Sequence, residues 1–301
     1  MRNRFTFGKI PVIGMLLGVG ALFEGCAIRS SKRVPASLIP PTPLSASAGD
    51  LIARVNDQSE RIQTLTAKVD FAPTAGSIYS GVIQEYHDVR GFILFKRPAM
   101  IRIIGQAPVV HTNVFDMVSD GKEFRLSIPP KNKFIVGKTS GEGPVKSPLE
   151  NMRPQHIMDA LLIPSIDTAE ALHSFESADD SGRRYYVLTI FQPGNGNELF
   201  PVRKVWFDRS NLKVARLDLY GPEGALVETA DYSGYQDFAG VVYPSEIKIV
   251  RPVEDYSLSI SIEKATFNQE MDPGKFELKK PADAELVELG AVTGAEAAHG
   301  H

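Results

Sequence analysis

A chain of 301 residues, 43% hydrophobic and 23% charged, is long enough to bury one large core or two small ones. Its net charge of -3 argues against a nucleic-acid partner, because phosphate binding draws on a clustered basic excess. A single cysteine excludes an internal disulfide framework.

Arg2, Arg4 and Lys9 precede an apolar run from Ile10 to Phe23, and Gly25 precedes Cys26. The run is shorter than the roughly 20 residues that a membrane-spanning helix needs, so residues 1–25 read as an export signal. The segment resembles a bacterial lipoprotein signal. That resemblance implies cleavage before Cys26, a diacylated thiol (palmitate is a candidate chain) and a third chain on the new amino terminus. Phe23 and Glu24 depart from the Leu and small residue usual at those places, which leaves an ordinary cleaved signal or a retained anchor as alternatives. Two or more acyl chains would hold the protein stably on one membrane. Residues 26–48, with Pro35, Pro40, Pro41 and Pro43 and no apolar periodicity, read as the lipidated cysteine and a disordered spacer.

A folded domain is expected over residues 49–281. It opens with a helix for which Asp50 is a plausible N-cap, with Leu51, Val55, Ile62 and Leu65 along one face and Arg54, Asp57, Glu60 and Arg61 on the other. Strands are expected at Thr66–Phe71 and Ile78–Tyr86, then a meander from Val89 to Lys138. Within the meander, the turn Asp120-Gly121 sits between apolar runs, the strongest short hairpin signal. Residues 139–146 read as a loop, and Pro154 as the first turn of a short helix carrying Ile157, Met158, Leu161 and Leu162. The second half is β throughout, ending in a strand where Leu258, Ile260 and Ile262 alternate with Ser257, Ser259 and Ser261. Residues 282–301 are expected to fray. Strands with two segregated helices predict an α+β domain, a curved antiparallel sheet of about 11 strands with helices in its mouth.

Three stretches carry a resemblance to the bacterial LolA/LolB lipoprotein-localisation family. They are Lys96-Arg97-Pro98, Val118-Ser119-Asp120-Gly121-Lys122 followed by Phe124, and Asp272-Pro273-Gly274-Lys275-Phe276-Glu277-Leu278 with Pro281 just after. They occur in the family's order, with a helix before them, and the resemblance spans Leu51 to Pro281. It implies an incomplete β-barrel closed by helices, holding the acyl chains of lipoproteins or other lipids in an apolar cavity. The family contains a soluble periplasmic carrier, a possible partner here, and a lipid-anchored receptor on the outer membrane. Cys26 points towards the receptor and towards the periplasmic side of the outer membrane. Arg97 falls where the carrier's lid-closing arginine lies. The chemistry agrees, since a guanidinium offers five fixed donors and a helix C-terminus unpaired carbonyls.

Candidate cavity residues are Phe92, Leu94, Ile101, Ile103, Met117, Ile157 and Leu161, each of which could equally fill core. Val109 and Val110, in the apolar turn nearest to the receptor's protruding loop, are candidates for touching the membrane. No cofactor, metal or catalytic role is expected. Among enzyme signatures there is no Gly-x-Ser-x-Gly elbow, no P-loop and no paired-cysteine zinc spacing, and His87, His111, His156 and His173 stand apart. Two other readings use the same fold: an envelope scaffold or stress sensor, and a structural lipoprotein whose hollow is filled by its own side chains.

Overall fold

The computed structural model describes residues 41–76, 84–85, 89–139, 153–167 and 172–289. Cys26, the export signal, most of the strand expected at Ile78–Tyr86, the loop beyond Thr139 and the last twelve residues lie outside them.

The first helix, α1, spans Ala48–Arg61. Its N-cap is Ser47 rather than Asp50: the Ser47 hydroxyl accepts from Asp50 N at 3.2 Å and the Asp50 carboxylate accepts from Ser47 N at 3.0 Å. Asp50 is thus the N3 partner of a reciprocal capping box, which satisfies two orphan donors and places a negative charge in the positive end of the helix. Leu51, Ile52, Val55 and Ser59 turn inward.

Seven strands follow: β1 (Thr64–Ala75), β2 (Gln84–Glu85), β3 (Val89–Lys96), β4 (Met100–Gln106), β5 (Asn113–Ser119), β6 (Glu123–Ile128) and β7 (Lys133–Lys138). Helix α2 (Pro154–Leu161) starts with proline at its first position, where the missing N–H costs nothing. Then come β8 (Leu172–Asp180), β9 (Arg183–Pro193), β10 (Leu199–Asp208), β11 (Lys213–Tyr220), β12 (Leu226–Phe238), β13 (Val241–Arg251), β14 (Tyr256–Phe267) and β15 (Glu285–Leu289).

All fifteen strands belong to one open sheet, ordered β15-β7-β6-β5-β4-β3-β1-β14-β13-β12-β11-β10-β9-β8 with β2 on β1. The expected count of about eleven falls short for physical reasons. β8 has no apolar alternation to announce it and β15 sits in an acidic stretch beyond Pro281, while β2 falls within the strand expected at Ile78–Tyr86. β15 also pairs in parallel with β7, so the sheet is not wholly antiparallel, and the ordered fold runs on to Leu289. Between β14 and β15 the chain crosses back over the meander as a strap. Lys96 Nζ donates to Met271 O at 2.9 Å and Arg102 Nη1 to Lys275 O at 2.8 Å, while Met271, Phe276 and Ala284 are buried beneath it.

Helix α2 touches β4, β5 and β13. β4 and β13 stand four strands apart in the order, which in a flat sheet is about 19 Å at 4.8 Å per strand. One eight-residue helix reaches both because the sheet bends around it.

Candidate functional site

Beside β4 and β5 the inner face is packed solid. Ile101, Ile103 and Met117 meet Ile157 and Leu161 of α2, and all five are buried in one continuous apolar cluster. Ile101, Ile103, Met117 and Ile157 therefore fill the core rather than line a hollow; Leu161 alone borders a void, of only about 20 Å³. Phe92 and Leu94 are on the other face of β3. The residues facing inward are Gly91, Ile93 and Phe95, while Phe92 is 37% exposed. β3 is apolar on both faces, so its alternation does not say which set of side chains is inside.

The open space lies in the other half of the sheet, under α1. A cleft of about 370 Å³ opens between that helix and the ends of β10 to β13, towards the lower end of the roughly 300–1,000 Å³ typical of ligand pockets. Its floor is apolar, made by Val55, Ile62, Phe207, Val214 and Val241 with the ring of Tyr235. The Tyr235 hydroxyl donates to Val214 O at 2.8 Å, so the phenol is satisfied, and burial pushes its pKa up. Arg54, Asp57, Gln58, Arg61 and Lys213 stand around the mouth. Val55, Gln58, Ile62, Val214 and Tyr235 also line the 20 Å³ void, which reaches towards Leu161–Ile163 behind α2.

Side chains from distant strands hold both helices in place. Arg97, at the end of β3, donates through Nε to Ile62 O at 2.8 Å and through Nη2 to Ser59 O and to the Ser59 hydroxyl. Asn268 donates to Arg61 O at 2.8 Å, satisfying another carbonyl of the last turn. Asn56 joins α1 to the segment after α2, with Nδ2 donating to Ile166 O at 2.9 Å and Oδ1 accepting from Ile166 N at 2.7 Å. At the C-terminus of α2, the Tyr232 hydroxyl donates to Ala160 O at 2.8 Å, that of Tyr243 to Leu161 O, and Arg203 Nη1 to Pro164 O at 2.6 Å. Asn56, Tyr232 and Tyr243 carry no spacing signal in the sequence; their roles appear only when strands far apart in the chain converge.

The polar side of α2 covers a buried set of charges. Arg251 of β13 pairs with Glu228 of β12 at 3.0 Å and with Glu254. Burial pushes the Glu228 carboxyl up to about 8 in spite of that arginine, and pushes Asp159 up to about 6. His156 is driven down to about 3 by burial and by Arg251 and Arg153. Arg153 is buried with its guanidinium 5.2 Å from the Phe124 ring centroid. His156 Nδ1 and Glu228 Oε1 are buried without a hydrogen-bond partner among the described residues. No group of His, Cys, Asp or Glu among those residues could hold a metal ion, and no described helix is long and apolar enough to cross a membrane.

Among the described residues Val109 and Val110 are the most exposed adjacent apolar pair, at 88% and 65%, in the turn between β4 and β5. That turn is at the end of the sheet opposite to Arg97 and the cleft, since β4 runs from Met100 beside Lys96 to Gln106 beside Arg90.

No family model matches this sequence, and neither does any curated protein. Solved structures do. A DUF1329 family protein from Desulfovibrio piger superposes with a TM-score of 0.52 at 16% identity, over 76% of this chain and 95% of that one. A domain from Vibrio parahaemolyticus named for outer membrane lipoprotein sorting gives 0.50 at 13% identity, over 75% and 94%. The chain shares the fold of these two proteins. A LolA superfamily protein from Nitrosomonas europaea covers 78% of this chain and 99% of its own, with a TM-score of 0.49 at 12% identity. The likeness is one of fold.

Proposed function

We propose that this protein is a lipid-anchored envelope protein that shelters the acyl chains of lipoproteins or other lipids in the cleft beneath α1, for transfer to or insertion into the outer membrane. The observation that carries this reading is the unfilled, apolar-floored cleft of about 370 Å³ under a helix fastened by side chains rather than by a continuous backbone ladder. Moving a 16-carbon chain from a membrane into water costs on the order of 12 kcal/mol at about 0.8 kcal/mol per methylene, so a binding protein must supply most of that burial itself. Handing the chain on requires only a modest difference in affinity, about 1.4 kcal/mol per factor of ten. No bond need break.

In this reading Arg97 is a latch. Its hydrogen bonds to Ser59 and Ile62 hold the C-terminal end of α1 against the sheet, and releasing them would let the cleft join the smaller void behind α2. Cys26 supplies the anchor, and Val109 and Val110 supply an apolar tip for the bilayer surface. The test is mass spectrometry of lipids that co-purify with the full chain carrying Cys26→Ser. Acyl lipid in wild-type cleft and none after Val241→Trp supports the proposal; protein purified free of acyl lipid, and unable to take any up, refutes it. Labelling of the native protein with palmitate, lost in Cys26→Ser, tests the anchor separately.

A scaffolding or stress-sensing role has one observation in its favour. Among the described strands β8 stands at an edge of the sheet with its side chains exposed along nearly its whole length, the kind of position to which a partner can add a strand.

A further inference from the structure

We propose that the mouth of the cleft recognises an anionic head, so that the preferred occupant is a single-chain amphiphile bearing a carboxylate or phosphate rather than an uncharged acyl group. This inference rests on the acyl-binding reading above and adds the chemistry of the head. Although the chain as a whole is acidic, at -3, the charged residues around the mouth are three cations, Arg54, Arg61 and Lys213, against one acid, Asp57. Asp57 is already occupied, accepting from Arg61 Nε at 2.8 Å one turn along α1. Arg54 makes no hydrogen bond or ion pair among the described residues, and the nearby carboxylate, Asp50, is held in the Ser47 capping box. Lys213 lies with its ammonium 5.0 Å from the centroid of the Tyr235 ring. That ring also forms part of the apolar floor.

Two cations thus stand over an apolar slot with no acid of their own. Arg54 comes from α1 and Lys213 from the start of β11, so a head seated between them would bridge the helix and the sheet. A carboxylate or phosphate there would accept charge-assisted hydrogen bonds from both, and its tail would lie on Val55, Val214 and Val241. The N-terminal cysteine of a fully acylated lipoprotein has an amide and a thioether at the same place and no charge to offer. Because head and helix are coupled, binding an anionic amphiphile would also fasten α1 on the side away from Arg97.

The test uses the full chain carrying Cys26→Ser, with displacement of the neutral fluorescent hydrophobe N-phenyl-naphthylamine as the readout. Palmitate is expected to displace it about tenfold more tightly than hexadecanol, a chain of equal length with an uncharged head. Arg54→Gln combined with Lys213→Gln should bring palmitate to within about twofold of hexadecanol and leave hexadecanol unchanged. Both side chains lie at the cleft mouth and neither is in the core, so folding is spared. Lysophosphatidic acid should behave as palmitate does. Inorganic phosphate alone, lacking a tail, should neither displace the probe nor compete with palmitate; competition by it would place a free-anion site at the mouth and overturn the amphiphile proposal. Equal displacement by palmitate and hexadecanol in the unmodified mouth overturns head recognition while leaving the acyl cleft intact. Failure of every chain-bearing probe to bind overturns the acyl reading itself.

Discussion

Around β4 and β5, branched and long side chains from the sheet interlock with Ile157 and Leu161 of α2, whereas beneath α1 the ends of β10 to β13 leave about 370 Å³ unfilled. Both regions lie on the inner face of one sheet and both are covered by an amphipathic helix. What separates them is what the helix and the turns present. α2 points large apolar groups at its strands. α1 borders the cleft with Arg54, Asp57, Gln58 and Arg61, a polar stripe at helical spacing that flanks the apolar Val55. The turns opposite contribute Asn211 and Gly240, the latter at φ 93° with nothing within 4 Å of where a Cβ would be. A pocket therefore forms where the covering helix turns its charged edge to the sheet, not where the sheet is most hydrophobic.

Substitutions should separate the two regions most widely in stability. Phe95→Ala, in the filled half, is expected to cost about 3–5 kcal/mol in urea unfolding, the usual loss for a buried aromatic. Val241→Ala, on the cleft floor, should cost less than about 1 kcal/mol, because part of its surface already faces space. Comparable losses at the two positions would erase the contrast.

Arg97→Leu should cost on the order of 1.5–3 kcal/mol, the range for hydrogen bonds to a charged group, by stranding the Ser59 and Ile62 carbonyls. Hydrogen exchange should quicken in the last turn of α1 and stay unchanged in α2, and bound fatty acid should leave faster. Uniform exchange across both helices would show that Arg97 supports the fold as a whole instead of one latch.

Acidity offers a finer comparison, because the buried charges of α2, β12 and β13 are not among the residues that line the cleft. Glu228 has a folded pKa of about 8 against a reference of 4.5, so the folded state holds its proton more tightly than the unfolded state does. Its contribution to stability is complete below pH 4.5 and is lost as pH rises through 8. His156, lowered from 6.5 to about 3, acts in the opposite sense up to about pH 7.5, and Asp159, at about 6, is almost fully ionised by then. Between about pH 7.5 and 8.5 stability should therefore fall as pH rises, and Glu228→Gln should flatten that slope in thermal unfolding. A slope that survives the substitution would assign the effect elsewhere.

The smallest change expected in stability is at the far end of the sheet. Val109→Asp with Val110→Asp should alter unfolding by no more than about 0.5 kcal/mol, since both residues are exposed. The same pair should weaken adsorption of the protein to zwitterionic vesicles; unchanged adsorption removes the turn from any membrane role.

Much of the architecture was legible in the sequence. The alternation of Leu258, Ile260 and Ile262, the turn at Asp120-Gly121, the stripe of α1 and the proline that starts α2 are local signals, and each marks its element. The resemblance made Arg97 a lid-closing candidate but named neither the helix it bonds nor the partners that hold the helices elsewhere. The site was legible only in part. Strands such as β3, apolar on both faces, conceal which face is inward, so Phe92 and Leu94 were indistinguishable from Ile93 and Phe95. A cavity is a deficit of packing between residues distant in sequence, such as Val55 and Val241, and no local pattern records it. The charged edge of α1 was visible, but its meaning depends on Lys213 arriving opposite.

The most direct test is photo-cross-linking of the full chain with palmitate bearing a diazirine near its terminal methyl. Labels are expected on the cleft floor, at Val214, Tyr235 or Val241, and are lost in Val241→Trp. Labels on Ile103, Met117 or Ile157 would show that the chain enters the filled half instead, and refute an acyl site beneath α1.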